Sequence, residues 1–184
     1  MALTPSVWRT ARVLANTKRL ACLQAVLRNP GTTVQDVAAT AGLRPAVASL
    51  YLRHLQSRGL LMTHRQSRWV HYRAGSDDSV VHAGRILDGM RAALRTARPP
   101  FAGPRRILTG FTHPRRLKIL AAIQLRGMAD FDVLRVFTGI SRPALTRHLD
   151  KLRRHGLVRL GADGWRLAPR PRPLAAVLLR CLTP

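Results

Sequence analysis

The most marked absence in this sequence is of acidic side chains. Its 184 residues contain eight Asp and no Glu, against 32 Lys and Arg, and the formal net charge is +24. A chain with this charge attracts polyanions, of which nucleic acid is the commonest. Lysine is also rare, at three residues, and a GC-rich genome would explain the preference for Arg over Lys. Such a genome does not explain the scarcity of acids, so we expect nucleic-acid binding.

Cysteine and long apolar runs are scarce as well. The two cysteines, Cys22 and Cys181, belong to no CxxC pair and cannot build a disulfide scaffold. Cys22 lies in the apolar run "RLACLQAVL", where a small buried residue is the ordinary interpretation. No apolar stretch reaches about 18 residues, and the sequence opens with no signal-peptide pattern. We therefore expect neither membrane insertion nor secretion, but a cytoplasmic, nucleoid-associated protein.

Recognisable catalytic patterns are missing too. Without Glu, and with scattered Asp, there is no paired-carboxylate site, and no Ser or Cys has the surroundings of a nucleophile. No Gly-rich loop of the phosphate-binding kind occurs. These absences predict that the chain is not an enzyme and needs no cofactor. The nine aromatic residues lie mostly at core or hairpin positions, which argues against an RNA-binding or ribosome-associated protein that stacks bases on exposed rings.

The same segment occurs twice in the chain. "RPAVASLYLRHLQSRGLL" (44–61) aligns without gaps on "SRPALTRHLDKLRRHGLV" (141–158) at an offset of 97 positions. Apolar residues and turn glycines coincide, as in Leu52 with Leu149 and Gly59 with Gly156. The match extends upstream, where "TKRLACLQAVL" aligns on "PRRLKILAAIQ" at the same offset. An ungapped match of this length indicates an internal duplication.

Each copy is predicted to run helix, helix, tight turn, helix, hairpin, and then a further helix. In the first copy we predict helices over 5–15, 17–28, 33–41, 44–57 and 79–96, with a hairpin over 60–73. In the second copy we predict helices over 105–112, 114–125, 130–137, 141–155 and 174–182, with a hairpin over 157–168. The Pro- and Gly-rich stretch "ARPPFAGP" is typical of a linker between the copies.

A helix–turn–helix followed by a two-stranded wing is the winged-helix design. "GISRPALTRHLDKLRRHGLV" resembles the recognition-helix signature of the ArsR/SmtB-type bacterial regulators. "RWVHYR" resembles the wing of that family, and "NTKRLACL" and "HPRRLKIL" resemble one of its helix openings. The resemblance implies a mainly α chain with small β-hairpin wings. It implies two tandem winged helix–turn–helix domains, at 1–97 and 105–184, joined by a linker at 98–104.

The residues of that family's metal sites are absent. Metal-sensing members carry Cys-x-Cys on the third helix, where this chain has "VQDVAATA". Their alternative site needs more ligands than Asp77, Asp78 and His82 provide, since borderline metals require several converging imidazoles or thiolates. We expect no bound metal.

The two copies are predicted to divide the work on DNA. Helix 141–155 presents Arg142 and Arg147, which can bind guanine edges, and so reads the major groove. Wing 63–68 is basic and grips the phosphate backbone. The alternative is that the first copy only supports the fold. The candidate DNA-binding residues are Arg44, Ser49, Arg53, His64, Arg65, Gln66, Arg68, Ser141, Arg142, Thr146, Arg147, His148 and Lys151.

The function predicted is that of a sequence-specific regulator of transcription that binds double-stranded DNA, most simply a repressor. The alternative is a plasmid or phage replication or partition protein. Relatives of this type dimerise through their first and last helices. We therefore expect either a homodimer through helices 5–15 and 79–96 or an intrachain pseudo-dimer of the two copies. The homodimer is favoured, because helix 79–96 and Trp8 need more cover than the short helix 174–182 would give.

Overall fold

The structure, a computed structural model, describes residues 6–182. Within that range the chain is mainly helical, with two small antiparallel hairpins. The first half comprises α1 (Ser6–Leu14), α2 (Thr17–Arg28), α3 (Val34–Ala41), α4 (Pro45–Gln56), β1 (Leu61–Gln66), β2 (Trp69–Ala74) and α5 (Ala83–Arg95). The second half comprises α6 (Ala102–Gly110), α7 (Pro114–Arg126), α8 (Phe131–Thr138), α9 (Arg142–Arg154), β3 (Val158–Gly161), β4 (Gly164–Leu167) and α10 (Pro173–Arg180).

Local signals at the ends of α3 explain its position. Thr33 caps the helix by accepting the N–H of Asp36, and the Asp36 carboxylate accepts the N–H of Thr33 in return. The helix ends at Gly42, whose φ of 62° lies in the left-handed region that glycine adopts without strain. Pro45 then occupies the first turn of α4, where its missing N–H costs nothing.

The second half repeats these signals in register. Asp130 caps α8 by accepting the N–H of Val133 at 2.7 Å, and Gly139 ends the helix with a φ of 65°. In each half a short bridge adds a third strand segment to the hairpin, through Thr32 and Tyr72 in the first half and through Ala129 and Trp165 in the second. The duplicated plan predicted from the sequence is therefore present at the level of element order.

Equivalent helices of the two halves pack against each other. α1 lies against α6, and α5 lies against α10, so that the buried residues of both halves form one continuous core. The closest approach is at Gly89, where a Cβ would lie 3.1 Å from Val177 Cγ1. Glycine at this position therefore lets α5 and α10 come close together.

This packing removes the reason for which we favoured a homodimer. The apolar stripe of α5 is already buried within one chain, with Leu87 2% and Met90 0% exposed, because α10 covers it. Trp8 is half-buried. The short α10 thus gives the cover that the sequence interpretation considered it too short to give.

Several predicted boundaries differ from the observed ones. The helix predicted from residue 79 begins at Ala83, after His82 turns the backbone to a φ of 65°. The linker predicted over 98–104 ends at Phe101, because α6 begins three residues earlier than the predicted 105. Residue 5 of the helix predicted over 5–15 lies outside the described residues. None of the described helices combines the length and the apolar character that crossing a membrane requires.

Candidate nucleic-acid interface

Helix α9 buries one face and exposes the other, as its sequence pattern predicts. Leu145, Leu149 and Leu152 are buried in the core. The exposed face at the start of the helix carries Ser141, Arg142, Thr146 and Arg147. The predicted reading residues at this end of the helix are therefore accessible.

Arg142 is exposed, but its guanidinium already contacts two neighbouring side chains. Its Nη2 lies 2.9 Å from Asp132 Oδ1, and its Cζ lies 5.0 Å from the centre of the Phe131 ring. Both partners of the ion pair are more than half exposed, and such surface pairs contribute little free energy. Arg142 has one guanidinium nitrogen on Asp132, whereas Arg147 has no ion-pair partner among the described residues.

His148 does not belong to the exposed set in which we placed it. It is half-buried, and its ring centre lies 4.8 Å from that of His113. Burial, then the neighbouring His113 and nearby arginines, lower the pKa of His148 to about 4. His148 is therefore uncharged at neutral pH and faces its neighbour rather than solvent. Lys151, one turn further on, is half-buried as well.

In the first half, α4 presents a different set. Arg44 and Arg53 are exposed, while Ser49 is half-buried. Between them Leu50 is 43% exposed at the position that Arg147 occupies in α9. The two cations thus lie near the two ends of α4, with an exposed leucine between them in sequence.

The hairpin β1–β2 carries its predicted basic residues at its exposed tip. Gln66 pairs with Trp69 across a two-residue turn, and Ser67 adopts a φ of 55° there. Arg68 Cζ lies 5.2 Å from the centre of the Trp69 ring. The exposed side chains of this tip, which we call the first wing, are His64, Arg65, Gln66, Arg68 and Trp69.

The sequence analysis placed most aromatic residues at core or hairpin positions and did not identify Trp69 as exposed. Its ring is 41% exposed beside Arg68. The alternation of side chains along a strand could have predicted this exposure. Tyr72 is buried, and Trp69 is an odd number of positions away and therefore lies on the opposite face of β2. An exposed aromatic ring flanked by cations is suited to contact sugars or bases.

Carboxylates distinguish the two halves at this surface. Asp130, Asp132 and Asp150 border α8 and α9 in the second half, where the first half has Thr33, Gln35 and Arg53 at the matching positions. The tip of the hairpin β3–β4 adds Asp163, which pairs with Arg166 at 2.9 Å. In the first half, Asp36 lies near the corresponding helix, where hydrogen bonds from Thr33 lower its pKa. The cations of α8 and α9 therefore have more carboxylates beside them than the cations of α4 and the first wing have.

The described residues offer no evident metal site. Nowhere in residues 6–182 do three or more His, Cys or Asp side chains converge as metal ligands would. Asp77, one of the residues considered for such a site, instead accepts hydrogen bonds from the backbone and hydroxyl of Ser79 at 2.9 and 2.6 Å. His82 lies at the start of α5, where burial and then Arg85 lower its pKa.

Neither a family model nor a curated protein matches the sequence. Among solved structures, one match is the crystal structure of human N-acetylserotonin methyltransferase in complex with SAM. The identity is 17%, the TM-score is 0.33, and the alignment covers 62% of this chain and 45% of the methyltransferase chain. The chain thus spans less than half the length of that protein.

We correct the prediction that the chain is not an enzyme: the lack of a recognisable catalytic motif does not exclude one. The matched structure is that of a methyltransferase. A likeness at this TM-score and identity assigns neither a fold nor an activity, and no methyl-transfer site is derived from it.

Proposed function

We propose that this chain is a sequence-specific, double-stranded-DNA-binding regulator of transcription built from two tandem winged helix–turn–helix units. In the simplest case it is a repressor that occupies its operator, in the cytoplasm and on the nucleoid. The observation that carries the proposal is the exposed cationic surface formed by α4 and the first wing, in a chain of net charge +24. Phosphate contacts by such side chains supply most of the affinity of DNA-binding proteins.

The first wing is suited to the backbone. Its tip projects from the body as a narrow two-stranded ribbon with Arg65 and Arg68 exposed, and no carboxylate pairs with either among residues 6–182. A ribbon of this width fits along a phosphate strand or into a groove. Trp69 adds an apolar surface at the same tip.

Helix α9 is suited to base readout, with Arg147 as the main candidate. Its guanidinium can donate two parallel hydrogen bonds to guanine, a contact worth about 1–3 kcal/mol of discrimination. Thr146 already donates its hydroxyl to Arg142 O at 3.0 Å, so it offers an accepting oxygen and a methyl group. Arg142 can add a contact through the guanidinium N–H groups that Asp132 does not engage.

The helix pairing supports the intrachain pseudo-dimer. α1 packs on its counterpart α6, and α5 packs on its counterpart α10, which is the self-matching contact pattern of a twofold dimer. One chain would then present α4 and α9 as two different reading helices to an asymmetric site. The differences between Leu50 and Arg147, and between Arg53 and Asp150, fit such a site.

The proposal is tested by fluorescence anisotropy with duplex DNA over a range of salt concentrations, and by selection from a random duplex library. The Arg65→Ala/Arg68→Ala variant should bind all sequences more weakly, and the slope of log K against log salt should fall by about 0.9 per lost contact. The Arg95→Ala/Arg98→Ala variant removes the same charge from exposed positions at and beyond the end of α5 and should change little.

The Arg147→Ala variant should instead change the selected sequence, with a loss of preference at one base pair. Absence of duplex binding at modest ionic strength would refute the proposal. Equal losses from the wing pair and the α5 pair would leave only a general effect of net charge and would remove the role of the first wing.

A further inference from the structure

A cavity in the second half is lined by cations. It has a volume of about 210 Å³ and lies between α6, the turn that follows α9, and the segment 168–172 that leads into α10. Three arginines and a histidine border it: Arg106, Arg170, Arg172 and His155. No carboxylate is among its lining residues, although four of the eight Asp of the chain belong to this half.

One of the arginines is fixed by a hydrogen bond, and another lies close to α6. Arg106 Nη2 donates to the backbone oxygen of Arg154 at 2.6 Å, which fixes the guanidinium at the end of α9 and leaves its other N–H groups for a ligand. Arg172 reaches across to α6, where its Nη1 lies 3.4 Å from the place that a Cβ on Gly103 would occupy. The guanidinium of Arg172 therefore lies beside the first turn of α6.

Two helices begin at the cavity. Gly103 lies in the first turn of α6 and Ala175 in the first turn of α10, and both residues line the cavity. Neither helix has a side chain that caps its first N–H groups. Uncapped N–H groups at a helix start favour an anion and add to the field of the arginines.

The corresponding place in the first half is covered. A Cβ on Gly59 would lie 2.9 Å from Val80 Cβ and 3.1 Å from Ala83 Cβ, because the segment before α5 packs onto that turn. A Cβ on Gly156, the matching residue of the second half, would have no atom within 4 Å. In the first half an apolar segment thus covers this turn. In the second half the segment "APRPR" (168–172) leaves a cavity there, with arginines at its rim.

From these contacts we infer that the cavity binds the phosphate group of a small anionic ligand. Guanidinium groups match phosphate oxygens with paired, charge-assisted hydrogen bonds. His155 contributes a further ring nitrogen, and burial, followed by Lys151, Arg116, Arg106 and Arg154, lowers the pKa of that ring.

The position of the cavity favours a small ligand over a DNA phosphate. It lies at the C-terminal end of α9, and thirteen residues of helix separate this end from Arg142 by about 20 Å. A duplex that receives the start of α9 would leave the cavity open. The inference goes beyond the proposed function and does not require DNA binding.

The test is titration of the ¹⁵N-labelled full chain with inorganic phosphate and with glycerol phosphate, at constant ionic strength held with chloride. We expect saturable shifts of the Gly103, Gly156 and Ala168 amide signals. The Arg172→Ala and Arg170→Ala variants should each weaken binding by about tenfold, the usual scale for loss of one charged hydrogen bond. The Ala168→Leu variant fills the cavity without changing the charge and should also weaken binding.

Arg105→Ala is the matched control, since Arg105 is exposed on α6 next to Arg106 but does not line the cavity. It should leave phosphate binding unchanged. Equal weakening by Arg105→Ala, or shifts that spread over the surface without saturation, would overturn the inference. A short duplex that displaces phosphate from the cavity would also overturn it, whereas failure of the duplex to bind at all, with phosphate still bound, would refute only the proposed function.

Discussion

The two halves of the chain keep equivalent buried contacts. Arg19 in the first half donates to the backbone oxygens of Val13 and Arg12, at the end of α1. Arg116, its counterpart, donates to Gly110 O at 2.8 Å and to Thr109 O at 2.9 Å, at the end of α6. In both halves a guanidinium satisfies the carbonyls that a helix end leaves without partners. These contacts determine how the first two helices of each half meet.

The exposed surfaces have diverged. The second half has an Asp where the first has Arg53, and it has a short, acidic tip where the first has a long, basic wing. It also exposes apolar side chains on α8: Val136 is 75% exposed and Phe137 is 48% exposed, where the first half has Ala39 and Thr40. Surface substitutions usually change stability by less than about 0.5 kcal/mol, so duplicated scaffolds tolerate them. The core therefore preserves the duplicated plan, while the exposed surfaces of the two halves differ in charge and in apolar residues.

The arginine at the helix end is more deeply buried in the second half than in the first. Its replacement should give the largest loss of stability. Arg116 is 5% exposed and makes three hydrogen bonds, whereas Arg19 is only half-buried. The Arg116→Ala variant removes the donor to the buried Gly110 O and one of the donors to Thr109 O, and should lower the free energy of unfolding by about 2–4 kcal/mol. Arg19→Ala should cost about 1 kcal/mol. Urea unfolding followed by circular dichroism measures both, and equal losses would contradict this difference in depth.

The second largest effect on stability is expected from disrupting the packing of α5 on α10, which joins the two halves. A Cβ at Gly89 already lies within 3.4 Å of Val177 and Leu174, so Gly89→Leu must push α5 away from α10. We expect a loss of about 1–3 kcal/mol in the free energy of unfolding.

Gly84→Ala is the control, because its Cβ would meet only Ser76 at 3.5 Å, an ordinary contact. Its higher helix propensity should make the protein more stable, by up to about 1 kcal/mol. A Gly89→Leu protein as stable as the parent would show that the close packing of α5 on α10 is not required.

The histidine pair of the second half gives a pH dependence that the matching residues of the first half, Asn16 and Tyr51, do not give. His148 has a pKa of about 4 in the folded chain and an ordinary value of 6.5, so the unfolded chain binds more protons between these values. Stability should therefore fall as the pH drops from about 6.5 to about 4 and should lose this dependence below that range. His148→Tyr introduces the first-half residue, Tyr51, and should flatten the profile. Unfolding at pH 7 and pH 5 measures it, and an unchanged profile would contradict the assignment.

Local signals explain what could be predicted from the sequence. Thr33 with Asp36, Gly42 and Pro45 define the ends of α3 and the start of α4 through bonds within a few residues, and these were placed correctly to within one residue. The register of the repeat follows from coincident glycines and leucines. Charge separates the two wings without any knowledge of the fold.

Tertiary contacts account for what was missed. The inward direction of His148 depends on His113, a residue 35 positions away on another helix. The cover of α5 by α10 depends on a close approach at Gly89, which no periodicity of α10 alone reveals. The engagement of Arg142 by Asp132 likewise requires the angle between α8 and α9. Residues that act through distant partners were therefore the ones misplaced at the candidate site.

The smallest expected effect is on duplex affinity, and this prediction depends on the proposed function. It concerns the charge difference between Arg53 on α4 and Asp150 on α9. Asp150 on α9 pairs with Arg153 at 3.4 Å, both side chains being largely exposed. The Asp150→Arg variant gives the second half the residue of the first and releases Arg153. We expect duplex affinity to rise about two- to fivefold at low salt and the gain to vanish at high salt, because exposed charges are screened within about 10 Å at 0.1 M. Anisotropy titrations at two salt concentrations measure the change.

Asp88→Arg provides the matched control. Asp88 lies on α5, is exposed, and pairs with Arg91 three residues on, as Asp150 does with Arg153. The substitution changes the net charge by the same amount and removes the ion pair of Arg91, which keeps its hydrogen bond to Ala74 O, away from α4, α9 and the first wing. It should raise affinity less than Asp150→Arg does. If both variants bind DNA equally well, affinity depends on total charge alone, and the contrast between Arg53 and Asp150 has no bearing on which half meets the duplex.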